Sequence, residues 1–134
     1  MPDPTTSVDP RTSTEPAAAD AATASATRDI ADVAAIEVIT TAAVHLMSAA
    51  AVKCGLSEDT PGQPASAYLD LDEARKLITA LAALVTASAP DLGNQHARAL
   101  RDGLRSLQLA FREASPFPDA PGDGPGEAFT GYVS

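Results

Sequence analysis

The stretch from Glu37 to Lys53, EVITTAAVHLMSAAAVK, has only one ionisable side chain between its two ends, that of His45. A helix that is apolar all the way round must be covered all the way round, by packing partners or by lipid. The run from Val38 to Val52 spans 15 residues, three of them hydroxyl residues and one a histidine. A membrane span needs about 20 predominantly apolar residues. We therefore predict a thoroughly packed helix, and we expect no membrane association.

Composition describes a soluble chain of one domain. The 134 residues are 45% hydrophobic and 20% charged, and this balance is typical of a globular protein with flexible ends. The net charge of −9 argues against nonspecific nucleic-acid binding and against docking on anionic lipid. The single Cys54 rules out an internal disulfide, and residues 1–20 contain no apolar segment of the secretory type. We expect a cytoplasmic location, and abundant alanine with arginine over lysine suggests a bacterial source.

Capping residues predict two helices in the first two thirds of the chain. The first helix is expected over residues 29–54, with Asp29 as its N-cap and Gly55 just past its end. The second is expected over residues 70–88, where Asp70 precedes an acidic version of the capping box. Residues 56–69 contain prolines and a glycine, which interrupt a helix, so we predict a linker between the first and second helices.

A third helix follows Pro90, which is expected to end the second. It should begin near Gly93 or Asn94 and run to about Ser115, just before Pro116. Its apolar residues recur at intervals of three and four, as in a narrow coiled-coil seam: Ala97, Leu100, Leu104, Leu107, Phe111 and Ala114. The predicted fold class is all-α, a small three-helix bundle or a helical hairpin plus a helix.

The two ends of the chain differ in composition from this three-helix domain at residues 29–115. Residues 1–28 are rich in Pro, Thr, Ser and Ala, and we predict a disordered N-terminal tail. Residues 116–134 are rich in Pro and Gly and acidic, so we expect an extended, mobile C-terminal tail.

Three of the five aromatic residues lie in the C-terminal tail: Phe117, Phe129 and Tyr132. Aromatic side chains on a flexible acidic segment are typical of a linear motif that docks into the groove of a partner. The alternative is that the tail folds back and covers the chain's own helices. Both interpretations stay open at this point.

The first helix also bears on assembly, because its large apolar residues lie on every side. They are Ile30, Val33, Ile36, Val38, Ile39, Val44, Leu46, Met47 and Val52. Two partner helices within one chain would leave part of this helix bare, and a second copy would cover the rest most simply in a two-fold dimer. We expect a homodimer; the alternative is a monomer in which the first helix lies between its own two neighbours.

No catalytic or metal-binding pattern stands out. Two histidines and one cysteine, without the spacing of a zinc or di-iron site, make a metal centre improbable, and no glycine-rich phosphate loop follows a strand. We expect no cofactor and no enzymatic activity. His45 is interpreted as a packed residue bonded to a neighbour such as Thr41; the alternative is a small-molecule or catalytic site with His45 in a dimer cavity.

An arginine stripe on the third helix is the strongest candidate interaction surface. Helical geometry places its members, together with Gln108, within an arc of about 80°: Arg98, Arg101, Arg105 and Arg112. Arginine binds carboxylates and phosphates bidentately. The alternative is a solvated flank whose arginines pair with the chain's own acids, and exposed pairs of that kind contribute under about 1 kcal/mol.

Three runs, ITTAAVHLMSAAAVKCGL, LDEARKLITALAALV and ARALRDGLRSLQLAFREA, resemble an uncharacterised bacterial family, domain of unknown function (DUF) family 1844. The resemblance covers about residues 30–114. The resemblance implies a fold of three helices and no known activity. It also implies that the genes of such proteins lie near translation genes. Together these observations predict a nonenzymatic homodimeric interaction module, with a protein partner bound through the C-terminal tail and translation as its setting.

Overall fold

The computed structural model describes residues 21–24, 27 and 30–134. Most of the predicted N-terminal tail, and the predicted cap Asp29, lie outside these residues; residues 21–24 and 27 are helical. The chain divides into two units, with the boundary after Ala34. In the first unit, a turn in which Val33 N–H donates to the Ile30 carbonyl lies at its C-terminal end.

The second unit, Ala35–Ser134, is built from helices. They are α1 (Ala35–Lys53), a short 3-10 helix (Ala65–Tyr68), α2 (Leu71–Leu92), α3 (Asn94–Ala114) and α4 (Glu127–Thr130). Among the described residues the only β-type pairing is an isolated bridge between Thr60 and Gln63. The all-α fold class is confirmed.

The first helix begins later than the sequence suggests, at Ala35 rather than residue 29. Glu37 lies in its first turn and Lys53 in its last, where each charge opposes the helix dipole. Both charges stabilise the ends of α1.

The second helix starts as predicted and ends later. The Asp70 side chain accepts a hydrogen bond from Glu73 N–H, so the cap is confirmed. The prediction that Pro90 ends the helix is wrong, because α2 continues through Pro90 to Leu92. In a last turn a proline removes only one helical hydrogen bond, and the buried Ala89 and Leu92 keep the turn on the core. Gly93, with φ of 81°, then ends the helix.

The core lies between α2 and its two neighbours, α1 and α3. α2 contributes four large side chains that are almost fully buried: Ile78, Leu81, Val85 and Leu92. The seam of α3 is buried as its spacing predicts, from Ala97 to Phe111. Because α2 contacts both other long helices and also α4, it is the central element of the bundle.

α1 is not packed all round within one chain. Only Ala43 and Ala50 of this helix are buried, while Val38 and Val44 are 47% and 48% exposed. By length and composition alone its 19 residues, with a mean hydropathy of 1.6, are enough to cross a membrane. A mostly buried core helix of a soluble protein and a signal sequence pass the same test, and 11% of this stretch is buried. The homodimer that would cover this face stays a prediction.

The C-terminal segment, residues 116–134, differs from the extended, mobile tail that its composition suggests. It runs back over the bundle, forms α4 and buries Glu127 and Val133. Of the two alternatives that the sequence left open, the structure has the one in which the segment covers its own helices. The reason is a set of polar contacts from α2 and α3 that composition does not reveal.

Candidate binding groove beside the C-terminal segment

The carboxylate of Glu127 holds the C-terminal segment in shape. Oε1 accepts hydrogen bonds from the N–H of Gly124 at 2.8 Å and of Gly122 at 3.2 Å. Oε2 accepts from Val133 N–H at 2.7 Å and pairs with Arg112 at 3.4 Å. The side chain is only 2% exposed, and a buried carboxylate is tolerated when its oxygens are this well supplied with donors.

Side chains of α3 fasten this segment from one side. Gln108 Nε2 donates to the Pro125 carbonyl at 3.1 Å and to the Thr130 hydroxyl at 3.0 Å. The Arg112 guanidinium lies 4.6 Å from the centre of the Tyr132 ring, which is a cation–π geometry. Further along the helix, Arg105 donates to the Ser134 carbonyl at 2.7 Å.

Arg75 of α2 fastens the segment from the other side. Its Nη2 lies 2.9 and 3.1 Å from the two carboxylate oxygens of Asp119, and its Nη1 donates to the Asp123 carbonyl. The guanidinium also lies 4.9 Å from the centre of the Phe111 ring. The segment is therefore bound to both α2 and α3.

A groove of about 410 Å³ opens where α2, α3 and the C-terminal segment meet. Its apolar lining comes from Val85, Leu104 and Val133, and its polar lining includes Thr86, Asp102, Gln108 and Thr130. Four of the residues selected from the sequence also line it: Arg101, Arg105, Phe129 and Tyr132. The groove thus joins half of the arginine stripe to two of the three aromatics.

The other predicted interaction residues lie elsewhere. Arg98 lines a separate cavity of about 310 Å³ at the start of α3, Arg112 is turned towards Glu127, and Phe117 is 90% exposed. In the described part of the chain, Arg98 and Arg101 make no hydrogen bond or ion pair, whereas Arg105 and Arg112 hold the C-terminal segment. The stripe therefore divides into two fastening residues and two with free guanidinium groups.

Sequence reasoning missed Glu127 and Arg75 as residues that fix the segment, and it placed Gln108 in the arginine stripe without indicating its bonds to the segment. A signal is present in GDGPGE, which places two glycine amides just before a carboxylate, but the Pro- and Gly-rich composition of residues 116–134 predicts a mobile tail instead. Backbone N–H groups of a glycine-rich turn readily surround an anion. Here the anion is the side chain of the same segment.

The histidines and the cysteine do not form a reactive group. His45 is exposed on α1 rather than packed within the chain as the sequence suggests, and it lines none of the cavities described here. His96 lines one of about 420 Å³ with Ile36, Glu37, Thr40 and Thr41. Over the residues that the structure describes, no group of three or more His, Cys, Asp or Glu side chains could hold a metal ion. Burial raises the pKa of the Cys54 thiol, which disfavours the nucleophilic thiolate.

Comparison with known proteins gives one finding. The family model described as Domain of unknown function (DUF1844) matches residues 35–113, which is more than half of the 134 residues. No curated protein and no solved structure matches. The matched range contains α1, α2 and nearly all of α3, so the wall of the groove formed by Phe129 and Tyr132 lies outside it.

Proposed function

Because the chain belongs to the DUF1844 family, a domain of unknown function, we propose a function from its geometry. The protein is a nonenzymatic interaction module of the cytoplasm that acts as a homodimer. Its groove between α3 and the C-terminal segment binds an acidic, partly apolar segment of a partner protein. The observation that carries the proposal is Arg101, which has no partner among the described residues, beside the aromatic wall of Phe129 and Tyr132.

The lining of the groove supports a peptide with carboxylates. Arg101 is free of internal partners among the described residues, and Arg105 uses only Nη2, on the Ser134 carbonyl. Each guanidinium can therefore still receive a carboxylate in the bidentate geometry that arginine favours. Asp102 is the acidic residue of the lining, so the two arginines outnumber it and an acidic ligand is favoured.

The size and exposure of the groove fit a short segment. A volume of about 410 Å³ lies within the range of about 300–1,000 Å³ that is usual for ligand sites. Phe129 and Tyr132 are each about half exposed, and tyrosine and arginine are enriched among the residues that contribute most to interfaces. The partner therefore contributes a few residues of an extended segment, with apolar side chains against the exposed rings of Phe129 and Tyr132.

The proposed setting is the translation apparatus, supported by the gene neighbourhood that the family resemblance implies. A homodimer presents two copies of the groove, and two linked sites bind a partner with two segments more tightly than one site. The exposed face of α1 supports the dimer, because the part of a single chain that the structure describes leaves it uncovered.

Site-specific photocrosslinking tests the groove. The photoreactive amino acid p-benzoylphenylalanine replaces Phe129, which lines the groove, and in a matched variant it replaces Phe117, which is exposed but outside it. The expected result is a partner peptide attached at position 129 and not at 117, and this peptide carries at least one Asp or Glu.

Binding of that peptide, made synthetically, then tests the charge. Arg101→Glu should weaken binding about tenfold or more, since a bound carboxylate would face a like charge. Arg98→Glu changes the same residue type on the same helix outside the groove, and binding should stay within about twofold. Equal loss in both variants, or a captured peptide without a carboxylate, would overturn the proposal.

A further inference from the structure

The free side of α1 has a regular pattern. At about 100° per residue, Val38, His45 and Val52 fall along one line of the helix, on the side opposite Ala43 and Ala50. Ala43 and Ala50 are fully buried, whereas Val38 and His45 are exposed and Val52 is half-buried. The line runs for about 21 Å at the helical rise and contains no Asp, Glu, Lys or Arg.

Small residues border this line on both sides. Thr41 and Ser48 lie on one side of it, and Ala42 and Ala49 lie on the other. Side chains of this size allow two helices to approach at the short end of the usual interaxial distance of about 8–10 Å. The free face is therefore suited to close contact with another helix.

The pattern is symmetric about His45, and this symmetry selects an antiparallel arrangement. With a two-fold axis at His45, Val38 of one copy lies level with Val52 of the second copy. The same operation places Thr41 beside Ser48 of the second copy, where the hydroxyls can share a hydrogen bond, and Ala42 beside Ala49. In a parallel pair each residue on the line would instead contact the same residue of the second copy, and each charged end would lie beside the identical charged end of the other helix.

Charge favours a second copy on this face. Each chain carries a net charge of −9, so two copies repel wherever acidic surfaces meet. Between Glu37 and Lys53 the line on α1 has no Asp, Glu, Lys or Arg, and its one ionisable side chain is that of His45. In an antiparallel pair the Glu37 end of one helix lies beside the Lys53 end of the other, and the two helix dipoles oppose each other.

We propose that α1 pairs with α1 of a second copy of this chain, antiparallel and with the two-fold axis at His45. This inference rests on the homodimer of the proposed function, and it names the surface and the register. A bilayer is the competing occupant by composition. To span it, α1 would have to withdraw the buried Ala43, Ala50 and neighbouring Cys54 from the core, whereas pairing uses only the face that is already free.

Crosslinking between single-cysteine variants tests the register. In a Cys54→Ala background, Val38→Cys and Val52→Cys are purified separately and then mixed under oxidising conditions. The antiparallel register predicts a covalent dimer in the mixture, and little in either variant alone. Covalent dimers of Val38→Cys alone, at a yield that matches the mixture, would indicate a parallel pair and overturn the proposal.

Sedimentation tests the surface without a new cysteine. Val38→Glu should weaken the dimer about tenfold or more, because it buries a carboxylate in an apolar contact. Val44→Glu is the matched control, since Val44 is equally exposed but lies about 100° around the helix from His45; its dimer should match the wild type.

The remaining outcomes separate this proposal from the groove. A wild-type chain that stays monomeric up to millimolar concentration overturns the pairing. A monomer that binds phosphatidylcholine vesicles through α1, measured by co-sedimentation, also overturns it. The Arg101→Glu variant should still form the dimer. A Val38→Glu variant that carries p-benzoylphenylalanine at position 129 should still crosslink to the partner peptide. Loss of one property without the other shows which of the two proposals fails.

Discussion

Replacing Glu127 with glutamine removes one acceptor oxygen from a buried site that contains only donors. Whichever oxygen becomes the amide nitrogen, its hydrogens face either the Gly122 and Gly124 N–H groups or those of Val133 and Arg112. A hydrogen bond to a charged group contributes about 1.5–3 kcal/mol. The Arg112 contact is long at 3.4 Å, so we expect a loss of about 3 kcal/mol, borne by the C-terminal segment.

Amide hydrogen exchange measures this loss where it occurs. The opening free energy at Val133 should fall by about 3 kcal/mol, while amides in the middle of α2 and α3 keep their protection. Asp119→Asn is the matched control, because it also changes an acid of this segment to its amide. Its pair with Arg75 is partly exposed, with the arginine side chain 42% accessible, so its loss should stay under about 1 kcal/mol.

Two results would contradict this account of the segment. Val133 could exchange in Glu127→Gln as it does in the wild type, which would mean that the carboxylate does not hold the segment. Alternatively, Asp119→Asn could loosen the segment as much as Glu127→Gln, which would make burial of the acid irrelevant. If the prediction holds, Glu127→Gln should also weaken peptide binding, because Phe129 and Tyr132 no longer form a fixed wall.

Two further predictions concern the packing of the described core. Gly126 has a φ of 76°, and a Cβ there would lie 2.7 Å from the Ala82 Cβ, whereas Gly131 has a φ of 80° with open space around it. Gly126→Ala should therefore lower the free energy of unfolding by about 1–3 kcal/mol more than Gly131→Ala. Urea denaturation measures both variants, and equal losses would show that the clash does not matter. Because burial raises the pKa of the Cys54 thiol, the unfolded chain ionises first, and the free energy of unfolding should decrease as pH rises above about 8.5. Denaturation of the wild type and Cys54→Ala at pH 7 and 9.5 checks this, and an equal pH response in both would refute it.

Local signals in the sequence determined much of the helical core. The Asp70 cap, the start of α3 at Asn94 and the seam from Ala97 to Phe111 each depend on residues within one or two turns of each other. Such interactions are readable without knowledge of the fold. The start of α1 was not readable in this way. The passage of α2 through Pro90 was not readable either, because burial of Ala89 and Leu92 offsets the cost of the proline.

The groove was only half visible in the sequence. The arginine stripe and the tail aromatics were found as separate features, and nothing local indicated that Arg101 and Arg105 would meet Phe129 and Tyr132. The contacts that join them run between distant positions, such as Gln108 to Thr130 and Arg75 to Asp119. Composition alone suggests a mobile tail, since it does not show where donors from another helix will lie.

The sequence by itself determined that α1 would be an apolar helix with almost no charge, and that something must cover it. Only the tertiary structure decided which side is covered: α2 and α3 pack on the side of Ala43 and Ala50, and the line through Val38, His45 and Val52 lies on the opposite side, where Val38 and His45 are exposed. Periodicity could not choose between the sides, because the apolar residues of α1 lie all round it. The covered side of α1 is defined only once neighbouring helices, each with one apolar face, pack against it.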